Sequence, residues 1–182
     1  MKPIGPLMWE HRLIEKMLSF FGGATRKINE QNKVDPLFVD TAVDFIRTYA
    51  DRTHHGKEED ILFRDLIKKQ LSQEHARIME ELVEEHKYAR NKVGMLVDAK
   101  ERYLKGENTS QEVVVLLNEL AHFYPIHIEK EDKHFFYPCM DYFTKEEQDH
   151  MLNEFYAFDR NMIHEKYRMI VDRIEAQSVR DS

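Results

Sequence analysis

Apolar residues recur at helical spacing along almost the entire chain. They return every three or four positions, as in helices that bury one face, and most glycines and prolines fall at joints between these stretches. Capping residues mark the joints: Asp35 precedes Pro36, Ser72 and Thr144 each precede a helical stretch, and Gly106 follows one. The pattern predicts helices over about 5–32, 36–70, 73–105, 110–137 and 144–176.

Short joints between these long helices predict an up-down-up-down four-helix bundle. The expected fold class is therefore all-α, with an additional C-terminal helix over about 144–176. Nothing resembling a linker interrupts the sequence, so we expect a single domain over 1–182 with a bundle core of about 6–138. With 42% apolar and 34% charged residues, the chain can bury one substantial core.

Composition narrows the classes of partner. The net charge of −7, with acids and bases interleaved, argues against a nucleic-acid-binding protein, which needs a concentrated basic face. No apolar stretch approaches 18 residues and the N-terminal residues contain no signal-like apolar segment, so we expect a cytoplasmic protein without a membrane span. The single cysteine, Cys139, excludes an internal disulfide and a thiolate cluster. A bound metal would therefore need nitrogen and oxygen ligands.

One histidine points inward from each of the first four predicted helices. The sequence HHGKEEDILF at 54–63 repeats its spacing in HIEKEDKHFF at 127–136, and each copy adds a glutamate four positions after its histidine. At 100° per residue both members of such a pair share one helix face. The inward set is His11, His54, Glu58, His86, His127 and Glu131. His55 and Glu59 fall on a neighbouring row and are predicted to face solvent or the edge of a groove.

A cation explains this set better than packing does. A lone histidine on an apolar face is usually a hydrogen-bonded core residue, but two buried glutamates with no inward lysine would be costly to desolvate. Imidazole and carboxylate together suit iron or manganese and can hold zinc, and six ligands exceed the needs of one tetrahedral zinc. The set therefore predicts a dinuclear site with bridging carboxylates. Iron is the expected metal if the function involves oxygen or redox chemistry.

The chain resembles the hemerythrin-like proteins with an HHE cation-binding domain. The resemblance covers about 6–138 and rests on EHRLI at 10–14, EEHKYAR at 84–90 and the two repeated motifs. It implies a four-helix bundle that holds two non-haem iron ions and interacts with O2 or a related small oxidant, for binding, storage or sensing. It also implies that His11, His54, His86 and His127 are iron ligands and that Glu58 and Glu131 bridge the two ions.

Two positions depart from the oxygen-carrying members of that family. Those proteins have a second histidine where this chain has Arg90, and an aspartate five positions after the last histidine where this chain has Glu131 at four. One nitrogen ligand is thus missing, which would favour chemistry on peroxide or nitric oxide over reversible oxygen binding. His122 could supply that nitrogen if Pro125 rephases the helix, and Arg90 could instead pair with a bridging carboxylate.

Other functions remain open at this stage. The chain could be an enzyme acting on peroxide or nitric oxide, or an iron- or oxygen-responsive regulatory module whose fifth helix contacts a partner through residues 151–170. The same helix could simply cover the bundle. A ferritin-like di-iron site needs Glu-x-x-His pairs that converge from two different helices. It is disfavoured here because two of the three such pairs lie on one predicted helix and the third lies at a helix start. A metal-free structural protein would leave both glutamates without partners. The motif reading further predicts that Glu58→Ala or Glu131→Ala loses most iron and that His55→Ala retains it.

Overall fold

The computed structural model describes residues 2–180, without the side chains of 163, 165 and 167–180. This part of the chain is 87% helical and contains no strand. It forms an all-α bundle with an extra C-terminal helix, which confirms the predicted fold class.

The helices lie close to the predicted positions. We number α1 to α6 in chain order, with two of them continuing into π-helical segments. Their bounds are α1 Ile4–Leu18, α2 Phe21–Gln31, α3 Pro36–Phe45, α4 Gln73–Leu104, α5 Ser110–Lys130 and α6 Lys145–Arg180.

Capping residues set most helix ends where the sequence predicted them. The Asp35 side chain accepts hydrogen bonds from the backbone N–H groups of the first turn of α3, and Ser72 accepts one from His75 at the start of α4. At the start of α6, Thr144 and Glu147 each accept a hydrogen bond from the backbone N–H of the other, which is a capping box. The main difference is in the first predicted helix, which a turn after Leu18 divides into α1 and α2; the second predicted helix ends at Leu66 and not at about residue 70.

The second and fourth helices of the bundle, which begin as α3 and α5, become π-helical where the repeated motifs at 54–63 and 127–136 lie. α3 continues through π-helical Ile46–His55 and Glu58–Phe63 and ends with Arg64–Leu66. α5 continues through π-helical Glu131–Phe135 and ends with Phe136–Cys139. A π-helix bonds residue i to i+5, so each turn holds more residues than an α-helix and the side chains fall out of 100° register. Pro125 lies inside α5, but the change of helix type comes six residues later, at Glu131.

Hydrogen bonds between helix ends establish the alternating topology. Ser110 at the start of α5 donates to the Asn32 side chain, which follows α2. The backbone N–H of Ser72, before α4, donates to the hydroxyl of Tyr142, which follows the π-helical extension of α5. The fourth bundle helix therefore starts where the first ends and ends where the third starts, as an up-down-up-down bundle requires.

Two apolar clusters enclose the middle of the bundle. In α1, Leu7 belongs to one cluster and Ile14 to the other, with His11 between them. The same division occurs in α4, where Leu82 and Ala89 lie on either side of the third inward histidine. The inward histidines and the glutamates of the two repeated motifs therefore lie in one polar layer between the two apolar clusters.

Helix α6 covers one side of the bundle. Met151, Phe155 and Met162 are buried, and Phe158 packs against the cluster that contains Leu62 and Phe135. This contact confirms the covering role for the described part of 151–170; the side chains of 163, 165 and 167–170 lie outside the described residues. Among the described residues, no helix is long and apolar enough to cross a membrane.

Candidate metal centre

Seven buried side chains meet in the polar layer. They form two groups, and within each group every residue offers one ligand atom that lies within 4.8 Å of the others. One group is His11, His54, Glu58 and Glu131, and the other is His55, His86 and His127. All six residues predicted from the sequence are therefore present, together with His55.

The two carboxylates connect the groups. Glu58 places Oε1 3.5 Å from His54 Nε2 and Oε2 3.4 Å from His86 Nε2. Glu131 places Oε2 3.1 Å from His11 Nε2 and Oε1 3.2 Å from His127 Nε2. Each carboxylate thus directs one oxygen to each group, which is the arrangement of a carboxylate that bridges two cations.

Unpartnered buried atoms show that the layer is suited to cations. Among the described residues, Nε2 of His55, His86 and His127 and both carboxylate oxygens of Glu58 and Glu131 have no hydrogen-bond partner. A buried polar atom without a partner costs free energy of about 1–3 kcal/mol, and more for a charged group. Nitrogen and oxygen donors that converge without hydrogen bonds fit metal ions of the iron, manganese or zinc type.

Four carboxylates brace the histidines in a closed ring around the bundle. Each accepts a hydrogen bond from the Nδ1 atom of a histidine on the next helix, so the Nε2 atom faces the interior. Glu10 in α1 braces His54 at 2.9 Å, and Glu59 in the extension of α3 braces His86 at 2.6 Å. The ring is completed by Glu85 in α4, which braces His127 at 2.8 Å, and by Asp132, which braces His11 at 2.8 Å.

Each of these four carboxylates also forms an ion pair with a lysine or arginine side chain. Arg90 lies 2.8 Å from Glu59, and Lys130 lies 2.5 Å from Glu85. The other two pairs are Lys57 with Glu10 and Arg12 with Asp132. Because each brace has its own cation, the braces add little net charge, and the negative charge of the centre comes from Glu58 and Glu131.

The pKa values of the two central carboxyls, Glu58 and Glu131, are shifted in opposite directions. Burial, reinforced by the charge of Glu131, raises the pKa of Glu58 well above its ordinary value. Burial would also raise the pKa of Glu131, but the neighbouring imidazoles of His127, His11 and His86 hold it well below its ordinary value. Without a cation, the layer therefore favours one protonated and one ionised carboxyl.

The pKa values of His11 and His54, in the group that contains both glutamates, are also shifted in opposite directions. Burial lowers the pKa of His11, but its contacts with Asp132 and Glu131 outweigh this effect and raise the pKa to about 9. Burial and the charge of His11 lower the pKa of His54 to about 4. A metal at this position would displace the proton from His11, so its binding is coupled to proton release.

His55 corrects the sequence prediction that it faces solvent or a groove edge. Its side chain is 1% exposed, and its ring stacks on His86 with centroids 3.8 Å apart. The π-helical backbone carries both His54 and His55 into the interior, which a 100° step between neighbours does not predict. Its Nδ1 atom lies 3.4 Å from Asp51, which is longer than the Nδ1–carboxylate distances of the other four histidines of the layer.

His122 and Arg90, the two residues through which the sequence allowed the centre to be completed, both lie outside it. His122 is exposed and belongs to neither group, because α5 remains α-helical on both sides of it and turns it away from His127. Arg90 pairs with Asp51 and with Glu59, one of the braces, so the pairing with a bridging carboxylate that the sequence left open is not formed.

Aromatic rings close the layer from one side. Leu62, Phe63, Phe135 and Phe136 are all buried. Phe136 stacks on His11 with centroids 5.7 Å apart, and Phe63 stacks on His86 at 6.1 Å. These contacts exclude water and fix the planes of two imidazoles.

Sequence reasoning missed the fifth histidine, the four braces and the buried Lys57. A signal for the braces was present, because each one is next in sequence to an inward residue: Glu10 to His11, Glu59 to Glu58, Glu85 to His86 and Asp132 to Glu131. Lys57 contradicts the expectation that no lysine points inward, since it is fully buried. Its partners are Glu10 and Asp159 rather than the bridging glutamates.

The comparisons with known proteins agree with this geometry. A family model described as the hemerythrin HHE cation binding domain matches residues 3–139, and this range contains all seven converging side chains. A search of curated proteins and a search of solved structures returned no match.

Proposed function

The chain belongs to the hemerythrin HHE cation-binding domain family, and on that premise we propose that it is a non-haem di-iron protein that binds O2 or a related small oxidant. One ion would lie among His11, His54 and an oxygen of each glutamate. The other would lie among His55, His86, His127 and the remaining glutamate oxygens. This reading goes beyond metal binding, which the family and the convergent donors support directly.

The observation that carries the proposal is the division of the carboxylate oxygens. Glu58 and Glu131 each direct one oxygen to each histidine group, so a single ion would leave two oxygens and at least two imidazoles without partners. Two ions satisfy every donor. When bound, iron supplies the redox chemistry that oxygen or peroxide requires and that zinc lacks.

The chain's residues prepare the layer for a reactive metal. The braces fix the Nε2 atoms toward the interior, and the two apolar clusters exclude water on both sides. A dry environment strengthens the attraction of the two carboxylates for cations and limits the loss of oxidised species to solvent.

A small cavity beside His55 supports a ligand of two or three heavy atoms. Its volume is about 60 Å³, and it is lined by Asp51, His55, Arg90 and Tyr124 among others. A cavity needs about 10–15 Å³, measured in the same way, to hold one water molecule, so this one has room for a ligand of the size of O2, nitric oxide or peroxide. The Tyr124 hydroxyl is buried and has no hydrogen-bond partner in the part of the chain that the structure describes, and burial raises its pKa, so it stays protonated and can donate a hydrogen bond there.

His55 also changes the balance between the candidate functions. The absence of a histidine at position 90 favoured chemistry on peroxide or nitric oxide because the ligand set predicted from the sequence lacked one nitrogen. With His55 in place, the layer offers five imidazole nitrogens and two bridging carboxylates, which favours O2 binding among the alternatives. An enzyme acting on peroxide or nitric oxide remains the second candidate, supported by the same cavity.

Metal content per chain tests the proposal. We expect about two iron ions per chain after anaerobic loading with ferrous iron, and a charge-transfer absorption that appears with oxygen and disappears under vacuum. Glu58→Ala and Glu131→Ala should each lose most of the iron, because each removes an oxygen from both groups. His55→Ala should weaken iron binding, contrary to the motif-based prediction of full retention, because it removes one nitrogen from the second group.

Glu129→Ala is the matched control, since Glu129 lies on the same helix as Glu131 but is exposed and pairs with Lys133. It should bind two ions. Full iron occupancy in both bridging-glutamate variants, or a single tightly held ion in the unaltered protein, would contradict the di-iron assignment. Absorption that persists under vacuum, with consumption of peroxide or nitric oxide, would select the enzyme.

A further inference from the structure

One brace of the ring differs from the other three. Arg12, Arg90 and Lys130 hold their carboxylates near the surface, with side chains that are 55%, 39% and 23% exposed. Lys57, which holds Glu10, is fully buried. A buried ammonium needs compensation for its lost hydration.

The compensation comes from helix α6. Asp159 places a carboxylate oxygen 2.7 Å from Lys57 Nζ, so the ammonium lies between Glu10 on α1 and Asp159 on α6. The ring of Phe155, one turn earlier on α6, lies 5.9 Å from the same ammonium. Asp159 lies outside the part of the chain that matches the family model, residues 3–139.

The Phe158 ring of α6 lies against the backbone of the same turn. A Cβ atom on Gly56 would lie 2.8 Å from the end of this ring, so any larger residue there would have to push the ring aside. Gly56 and Lys57 therefore contact Phe158 and Asp159, and both members of the first pair lie between His55 and Glu58 in the sequence. The extra helix is fastened to the turn of the bundle that carries the metal motif.

We propose that α6 is a positioning element of the metal centre, acting through Asp159, Lys57 and Glu10 on the imidazole of His54. Asp159 orients the Lys57 ammonium, which holds the Glu10 carboxylate, and Glu10 accepts the hydrogen bond from His54 Nδ1. The inference rests on the proposed di-iron function and adds that α6 controls the half of the centre that contains His11 and His54.

Asp159 can affect His54 because each contact in this series fixes the position of the next side chain. A carboxylate on Nδ1 fixes the orientation of the imidazole ring and makes its Nε2 atom a stronger ligand. Glu10 can serve His54 only while its other oxygen is held by Lys57, and Lys57 can stay buried only while two carboxylates share its charge. Without Asp159, the ammonium would draw Glu10 toward itself and away from the imidazole.

Asp159→Asn in the full chain tests this arrangement. Metal-free protein is titrated with ferrous iron under argon, and the two binding steps are followed by calorimetry. The variant should still bind two ions, but one of them about 10–100-fold more weakly, as found for carboxylates that orient metal-bound histidines. Asp159→Glu should restore the affinity, because it returns the carboxylate.

Glu154→Gln is the matched control. Glu154 also lies on α6 and pairs with Arg64 at 3.0 Å, so this change removes a fastening of the same helix that does not touch Lys57. Both affinities should then equal those of the unaltered protein. The inference is overturned if Asp159→Asn binds both ions normally, or if Glu154→Gln weakens binding as much. Failure of the unaltered protein to bind two ions would overturn the proposed function itself, before either variant is compared.

Discussion

At the scale of single residues, the carboxyl groups of the polar layer lower the stability of the metal-free fold. Glu58 and Glu131 are fully buried beside each other, and burial and the charge of Glu131 raise the pKa of Glu58 well above 4.5. Such groups are often retained for binding although a neutral residue would stabilise the fold. The metal-free protein should show this conflict directly.

We predict that Glu58→Gln stabilises the metal-free protein while abolishing most iron binding. Glutamine keeps the shape of the side chain but does not ionise, so it avoids the cost of taking up a proton on folding, and the free energy of unfolding at pH 7 should rise by about 1–3 kcal/mol. Urea denaturation in the presence of a chelator measures this difference. Glu129→Gln, on an exposed side chain, should leave the value close to that of the unaltered metal-free protein.

The same variant should reveal a pH dependence. Because the folded pKa of Glu58 is raised, its contribution to stability is present below its unfolded value near 4.5 and is lost as the pH rises. The stability gap between Glu58→Gln and the unaltered metal-free protein should therefore widen from pH 5 to pH 8. A gap that narrows over this range would mean that Glu58 is held in its charged form.

Cys139 offers a reporter for the opening of the bundle. It is buried with Phe135 and Phe136, and burial raises the pKa of its thiol to about 12. We predict that it reacts with a disulfide reagent at pH 8 at least about 100-fold more slowly in the folded protein than in denaturant. A cysteine introduced at the exposed position Ser19 should react at the unhindered rate. Equal rates for both thiols would show that this end of the bundle opens readily.

At the scale of helices, close packing decides the role of a glycine. Gly56 lies inside a helix, where alanine would ordinarily add about 0.5–1 kcal/mol of stability. Its Cβ would, however, lie 2.8 Å from Phe158 on α6. We predict that Gly56→Ala lowers the free energy of unfolding by about 1–3 kcal/mol, measured by chemical denaturation.

Gly94→Ala provides the comparison, because it lies in the middle of α4 and a Cβ there would have no atom within 4 Å. This change should stabilise the protein by about 0.5–1 kcal/mol. The combined change of Gly56→Ala with Phe158→Ala should cost less than the sum of the two single changes, since the second removes the clash. Stabilisation by both alanine variants would show that α6 does not press against this turn.

The angular spacing of side chains around a helix explains which features of the fold and site could be predicted from the sequence. Apolar spacing and capping residues predicted the helix order and most ends, and Asp35, Ser72 and Thr144 cap where expected. The six inward ligand candidates also follow from α-helical spacing. His55 does not, because the π-helical segment Ile46–His55 changes the rotation per residue, and no local sequence rule identifies such a segment.

Pairings between helices lie beyond a single sequence's periodicity. Glu10 braces His54 on the next helix and not His11 beside it, and Asp159 reaches Lys57 across 102 positions. Periodicity shows which face a residue occupies, but the partner on another helix depends on the relative rotation and translation of the two. The six inward ligand candidates were predictable because each lies on the apolar face of its own helix, whereas the contacts of the braces depend on how the four helices are placed around the layer.

At the scale of the whole molecule, the metal layer joins four helices that are distant in sequence. His11 contacts Asp132, 121 positions away, and no covalent link closes that loop. Cations bound by Glu58 and Glu131 would hold all four bundle helices at their midpoints, between the two apolar clusters. The stability of the fold should therefore depend on iron by mass action.

We predict that the midpoint of thermal unfolding rises steadily with ferrous iron concentration under argon. A ligand that binds only the folded state at 100 times its Kd adds about 2.7 kcal/mol, which corresponds to about 5–11 °C for a chain of this size. Scanning calorimetry at several iron concentrations, with chelator as the reference, measures the shift. Glu58→Ala should show almost no shift, because it lacks the oxygens that serve both ions. If the unaltered protein and this variant shift equally, iron acts elsewhere on the molecule and the layer is not what joins the four helices.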